Sequence, residues 1–362
     1  MNRITIDVDA LAHNYRTVQG WVEKHGATLT VVTKALCGHR ESIEGLAEIG
    51  VDSVADSRIS NLRTIDEAAP DAEKWYLRPP HTSALEDVIA LSDVSLNTEL
   101  DVITALDEEA KRQDRTHRVV VMIELGDLRE GILPGSLLKI YKQVFELERV
   151  KVVGIGANLG CLGGAIPSVD QLMQLVLYRE LLELKFERKL SLVSAGTSAV
   201  LPLLIDGELP KQINHFRIGE AILLGTDPVR GEIIRGLRGD TVRLDAEVVE
   251  IKEKSLVPAG ETSDTTPFTP IEQEDREPGE RGYRAIVTVG QLDTDIGTLT
   301  PIDPGISIAG ASSDLTVVHL GAEPNGLSIG DVIGFRVGYA SLVRLMANPY
   351  TEKRVVRPAK GL

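Results

Sequence analysis

Cysteine is almost absent: Cys37 and Cys161 are the only two in 362 residues. Two thiols so far apart make no disulfide framework and suit a reducing compartment. Long hydrophobic runs are missing as well. Nothing approaches the about 18 apolar residues of a membrane span, and the opening MNRITIDVDALAHNY has no apolar signal-peptide core. Positive charge is in deficit, with 39 Lys and Arg against 54 Asp and Glu and a formal charge of −15. That balance argues against nucleic acid or an anionic membrane as the main partner. No His, Cys and Asp spacing suggests a metal site. These absences together lead us to expect a soluble cytoplasmic protein whose partner is a small molecule.

What is present is a chain with 43% apolar residues, long enough for a large α/β domain and a second one. Between residues 28 and 224, short β-rich runs alternate with helical periodicity. The strand candidates are TLTVVT (28–33), VDSVA (51–55), KWYL (74–77), DVSLN (93–97), RVVVMIEL (118–125), VKVVGIGA (150–157), LSLVSA (190–195) and HFRIGEAILL (215–224). Stretches such as VDQLMQLVLYRELLEL repeat at helical spacing between them. This is the arithmetic of a (β/α)8 TIM-type barrel, with a doubly wound sheet as the runner-up. After about residue 226 strands and turns prevail with almost no helical period, which predicts a mainly antiparallel β domain. We therefore expect a barrel over 1–228 and a β domain over 229–362, with residues 1–8 a candidate to pair with the latter. The Pro-, Gly- and acid-rich residues 255–282 predict a long loop.

In such barrels the chemistry lies at the C-terminal ends of the strands. Those ends carry Lys34, Asp56, Arg78, Asn97, Glu124 with Arg129 nearby, Asn158, Ser194 and Arg217. Most lysines are solvated surface groups. A lysine fixed at a strand end can instead form a Schiff base with an aldehyde if its amine is partly desolvated. The run SAGTSAVLPLL sets Thr197 and Ser198 before a helix, and RIGEAILLG follows. Hydroxyls and backbone N–H groups in the last two barrel loops make a phosphate site, although Ser198 alone could be a plain helix cap. An amine after the first strand and a phosphate cradle after the seventh describe a pyridoxal 5'-phosphate pocket. Arg217, inside an apolar strand, needs a partner there. That partner is either a structural anion or the pyridine nitrogen of the cofactor.

The ordered motifs ITIDVDALAHNY, VVTKALCGH, GDLREGI, GIGANLGCLGG, SAGTSAVLPLL and RIGEAILLG resemble the alanine racemase superfamily of barrel-type pyridoxal phosphate enzymes. DSRISNL, VVEIKEK and GTLTPIDPGISIAGASSD extend the resemblance to its ornithine racemase branch. The resemblance implies that Lys34 bonds to the cofactor and acts as one acid/base, and that Arg217 holds the pyridine nitrogen. It assigns the phosphate to Thr197, Ser198, the backbone at Gly219 and Glu220, and a tyrosine of the β domain, Tyr350 before Tyr339. Arg129 would stand near the phenolic oxygen and Asn158 beside the ring. Departures matter too. Gln291 stands where the family carries a catalytic tyrosine, and glutamine cannot shuttle a proton. The second proton-transfer group is then Cys161, Cys37 or an acid from a partner subunit. Asp293, in the β domain, and Asp56, at the mouth, are the candidates to receive a basic substrate's distal amine. The implied function is a pyridoxal phosphate-dependent amino acid racemase acting on ornithine or another long-chain or basic amino acid, working as a head-to-tail homodimer. Alternatives are an alanine or broad-specificity racemase, a decarboxylase or lyase of the same barrel type, and a non-catalytic pyridoxal phosphate carrier.

Overall fold

The computed structural model describes residues 2–160, 162, 164–257, 259–260, 277 and 279–357. It divides into two compact units, Ala10–Arg238 and Met1–Asp9 with Gly239–Leu362. The first therefore runs past residue 228, the boundary expected from the sequence.

The strands, in chain order, are β1 Arg3–Asp7, β2 Thr28–Val32, β3 Ser53–Asp56, β4 Glu73–Tyr76, β5 Val94–Asn97, β6 His117–Met122, β7 Val150–Gly156, β8 Leu192–Gly196, β9 His215–Ile218, β10 Val242–Ser255, β11 Arg281–Val287, β12 Leu299–Pro301, β13 Ser307–Ala311, β14 Thr316–Gly321, β15 Val332–Val337 and β16 Glu352–Val356. In the first unit β2 to β9 close a barrel in sequence order. Every pair is parallel, including the closing pair of β2 with β9. Val32, Ala55, Trp75, Val94, Leu96, Val120 and Met122 form one packed cluster of its core. Strands covered on both faces read as continuous apolar runs, which is why they stand out in the sequence.

Two strand expectations need correction. Residues 215–224 are not one strand: β9 stops at Ile218, and Glu220–Leu224 is a short helix that Gly225 ends in the left-handed conformation. An apolar run of this length has no periodicity that separates strand from buried helix. Likewise β6 ends at Met122, four residues after Arg118, and Ile123 then makes an isolated bridge to Ile132.

The second unit is an eight-stranded sheet with the path β12-β15-β10-β11-β14-β13, and β1 pairs with β10 and β16. All its pairs are antiparallel except β1 with β16. Its sequence reads as almost free of helix, yet Tyr339–Ala347 is helical. The predicted loop over 255–282 falls largely outside the described residues. Among the described residues no helix is long and apolar enough to cross a membrane, and no cluster of three or more His, Cys, Asp or Glu could hold a metal.

Candidate active site

Thr33 and Lys34 follow β2, and the next turn is a single 3-10 turn over Lys34–Leu36. Its exit residue, Cys37, takes the left-handed conformation at φ 50°. A non-glycine residue there costs on the order of 1 kcal/mol, so neighbouring contacts must hold the turn. Asp56 supplies them. Thr33 Oγ1 donates to Asp56 Oδ2 at 2.9 Å, and Asn61 Nδ2 donates to Asp56 Oδ1 at 2.9 Å. Asn61 in turn packs against Gly38, where a Cβ would lie 2.9 Å from Asn61 Oδ1. The backbone amides of Ser57 and Arg58 also donate to Asp56 Oδ1, at 2.7 and 3.1 Å. Burial raises the carboxyl's pKa and these four hydrogen bonds oppose the rise. Asp56 is fully buried. Both its oxygens are engaged, so it anchors the lysine turn and presents nothing to a substrate amine. The Lys34 side chain, by contrast, is exposed.

Arg217 sits in β9, the strand that closes the barrel against β2. It is 5% exposed. One terminal nitrogen donates to Ser194 O at 2.7 Å and to Ser194 Oγ; the other donates to Ala157 O at 3.1 Å and Asn158 Oδ1 at 2.6 Å. These acceptors stand within β8, the strand paired with β9, and just after β7, the next strand along, so the barrel's own closure delivers the clamp. Asn158 Nδ2 donates onward to Glu130, whose carboxylate also takes two hydrogen bonds from Arg129, one of 2.6 Å. A connected path thus runs from Arg217 through Asn158 and Glu130 to Arg129. Glu130 was not among the predicted residues. Its signal was only its place beside Arg129 in LREGI, since an isolated acid on a loop has no periodicity. The same loop needs Gly131, whose φ is +151° and where a Cβ would lie 2.3 Å from the Glu124 amide nitrogen.

After β8, Ser198 Oγ accepts from the Ala221 amide at 3.2 Å, joining the Thr197–Ser198 turn to Gly219–Glu220. The Thr197 hydroxyl oxygen is buried and meets no hydrogen-bond partner among the described residues. Burying a hydroxyl unpaired costs about 1–3 kcal/mol. An orphan hydroxyl beside a second hydroxyl, that of Ser198, and the start of a helical turn fits a bound phosphate. Burial raises the pKa of Glu220, and the nearby charge of Lys34 works against that rise. Lys34, Glu220, Thr197, Ser198, Arg217, Asn158 and Arg129 therefore gather at one mouth. A cavity of about 530 Å³ lies elsewhere, lined by the first residues of the strands, among them Thr28, Ser53, Glu73 and His215.

Other expected residues are placed differently. Cys161 lies outside the described residues. Cys37 is half-buried, its Sγ 3.8 Å from Lys34 O. Tyr350 and Asp293 belong to the second unit. Tyr350 is 88% exposed. Asp293 is half-buried, and its carboxylate accepts from Gly290 N at 3.0 Å and Asn348 Nδ2 at 2.9 Å.

Comparison with known proteins places the chain in a family and a fold. Residues 6–227 match the alanine racemase N-terminal domain family. The chain is 38% identical over 355 residues to an ornithine racemase of Acetoanaerobium sticklandii, covering 98% of this chain and 99% of that one. It is 33% identical over 351 residues to a lysine racemase of Thermotoga maritima, covering 97% of each. Among solved structures, an alanine racemase of Clostridium difficile superposes with a TM-score of 0.74 at 16% identity, covering 98% of this chain and 96% of that one. The alanine racemase of Bartonella henselae, with covalently bound pyridoxal phosphate, gives 0.74 at 17% identity, covering 98% and 99%.

Proposed function

The chain belongs to the alanine racemase family, and from that premise we propose that it racemises ornithine or another long basic amino acid, using pyridoxal 5'-phosphate, in the cytoplasm. It is an isomerase. The observation that carries the reading is the convergence, at one barrel mouth, of an exposed lysine on an anchored turn, a clamped buried arginine and an unpaired threonine hydroxyl. The choice of a basic substrate leans on the ornithine and lysine racemases to which the whole chain is similar.

The residues divide the work as follows. Lys34 would hold the cofactor through its aldehyde. Thr197 and Ser198, with the backbone at Gly219 and Glu220, would hold its phosphate. Arg217 would face the ring nitrogen, Asn158 the ring and Arg129 the phenolic oxygen. When bound, pyridoxal phosphate draws electrons from the substrate's Cα and so acidifies the proton there. The charge of Arg217, always protonated, would keep the ring nitrogen from gaining a proton, which would moderate that pull. The Lys34 amine takes or returns the Cα proton on one face. A second group serves the other face: Cys161 ahead of Cys37, or an acid from a partner subunit. With Asp56 committed to the lysine turn, Asp293 is our first candidate to receive the distal amine, with Asp295, Asp314 and Glu124 as its competitors. The assembly we infer is a head-to-tail homodimer, in which an acid such as Asp293 of one copy serves the mouth of the other, and Tyr350 of the β domain completes the phosphate site.

The test is purified protein with L-ornithine in deuterated water, followed by chiral separation and mass spectrometry. D-Ornithine carrying an α-deuteron is the expected product. Carbon dioxide or aldehyde release without inversion would sink the racemase reading. If Cys161→Ala and Cys37→Ala both racemise normally, neither thiol is the second base.

A further inference from the structure

The barrel interior holds a line of polar side chains that the site described above does not use. Ser194 Oγ lies 2.7 Å from His215 Nδ1, and His215 Nε2 lies 3.0 Å from Thr30 Oγ1. Thr30 Oγ1 lies 2.8 Å from Ser53 Oγ, and Ser53 donates to Glu73 Oε2 at 3.3 Å. Glu73 is the first residue of β4, at the end of the barrel away from the mouth. There it also accepts from Trp75 Nε1 and from Arg118, each at 2.7 Å. The indole of Trp75 stacks on His215, with ring centroids 4.4 Å apart and an interplanar angle of 17°. At the other end, Ser194 Oγ accepts from Arg217.

We propose that His215 and Glu73 are positioning residues for Arg217, joined to it by a hydrogen-bond chain of one fixed direction, Arg217 to Ser194 to His215 to Thr30 to Ser53 to Glu73. The two ends set the direction. A guanidinium can only donate and an ionised carboxylate can only accept, while each hydroxyl between them has one proton to give. Glu73 takes the Ser53 proton, so Ser53 must accept from Thr30, and Thr30 must accept from His215 Nε2. Nδ1 is then the acceptor for Ser194, whose oxygen receives Arg217. The opposite tautomer would make Thr30 donate to the ring. Thr30 and Ser53 would then face each other at hydrogen-bond distance with no proton between them. The chain requires a neutral imidazole, and burial, with the charge of Arg217 second, holds the pKa of His215 down to about 3. A buried row of polar groups is retained at a cost unless every member is satisfied. Here each one is, in one sense only, and the reward is a guanidinium whose position is fixed from behind.

The proposal rests on the assignment of Arg217 to the cofactor ring, and its test separates the two. The holoenzyme, carrying isotope-labelled histidine, is read by nitrogen NMR across about pH 5–9, the range in which an ordinary histidine titrates. His215 is expected to stay neutral with its proton on Nε2. A proton on Nδ1, or an imidazolium near neutral pH, overturns the chain. Thr30→Val removes the acceptor at nearly constant volume. It should shift the His215 resonances, displace the absorbance band of the bound cofactor and lower kcat about tenfold with KM within about twofold, the scale of one lost hydrogen bond. Thr30→Ser should restore all three. If Thr30→Val does not fold, Ser53→Ala breaks the chain one link further on and serves the same purpose. A variant with unchanged His215 resonances and an unchanged cofactor band overturns the proposal. The expected tautomer and band shift in a protein that exchanges no amino acid α-proton would instead leave the chain standing and remove the racemase reading.

Discussion

The two cations at the barrel mouth are held in opposite ways. Lys34 is exposed, and its surroundings grip the turn beneath it: Thr33, Asp56, Asn61 and Gly38 fix the backbone and leave the amine loose. Arg217 is 5% exposed, and its surroundings grip the charged head itself, through Ser194, Ala157 and Asn158. A lysine that exchanges partners and moves protons has to swing, and a fixed backbone with a free side chain permits that. An arginine that sets the electronic character of a ring must not move, and a planar fork with four acceptors prevents it.

The largest effect expected from this contrast is on Lys34. Lys34→Ala should lower racemisation by at least about three orders of magnitude, since the role we propose for Lys34 is both covalent anchor and proton carrier. Its unfolding free energy should stay within about 0.5 kcal/mol of wild type, as for other exposed positions. Chemical denaturation beside the isotope-exchange assay checks both halves. A large stability loss would show that the amine is gripped after all. Arg217→Leu should do what Lys34→Ala does not and unfold about 3 kcal/mol more easily, because it strands several buried acceptors at once. Equal stability of the two variants would break the comparison.

The dryness around Arg217 has a signature in pH. Burial holds His215 down to about 3, with Arg217 adding to the shift. Burial likewise holds His117 down to about 4, with Arg115 and Arg118 adding to it. A histidine with a lowered folded pKa binds its proton more readily when unfolded. Its contribution to stability is therefore complete above about pH 6.5 and is lost as pH falls toward the folded value. At about pH 5 each should have cost about 2 kcal/mol. Asp56, raised by burial, works in the opposite sense, so the slope is best read against His117→Asn, whose amide can still reach the Ser95 hydroxyl that His117 Nε2 meets at 2.8 Å. That variant should lose less stability between about pH 7 and 5 than wild type. An identical loss would mean that the His117 pocket is wet.

Much of the barrel was legible because buried parallel strands leave apolar runs and their surface helices leave a 3.6-residue period. Legibility failed where one apolar run served two elements, as at 215–224, and where a short apolar helix, Tyr339–Ala347, sat among strands. Lys34 and Arg217 stand out in the sequence because a charge at the end of, or inside, an apolar run is out of place. The converse rule misled at Asp56, where a carboxylate at a strand end proved to be a buried anchor. Glu130 and Glu73 were invisible for a different reason. Their partners, Asn158 and Ser53, are 28 and 20 residues away, and only barrel closure brings them together.

The smallest effect separates holding from folding. Thr197 carries a buried hydroxyl with no partner among the described residues, a cost in the cofactor-free protein and an asset once phosphate accepts its proton. Thr197→Val keeps the shape and removes the hydroxyl. Without cofactor it should therefore leave stability unchanged or raise it by up to about 1 kcal/mol. With cofactor it should weaken binding about tenfold, one hydrogen bond to a charged acceptor being involved. Opposite signs from one substitution would mark a residue kept for its ligand, as the clamp on Arg217 is kept for position and the freedom of Lys34 for movement. Thermal melts of the cofactor-free protein and a fluorescence titration with pyridoxal phosphate give the two signs. If stability falls in both states, the hydroxyl has a protein partner and the phosphate cradle must be built from other groups.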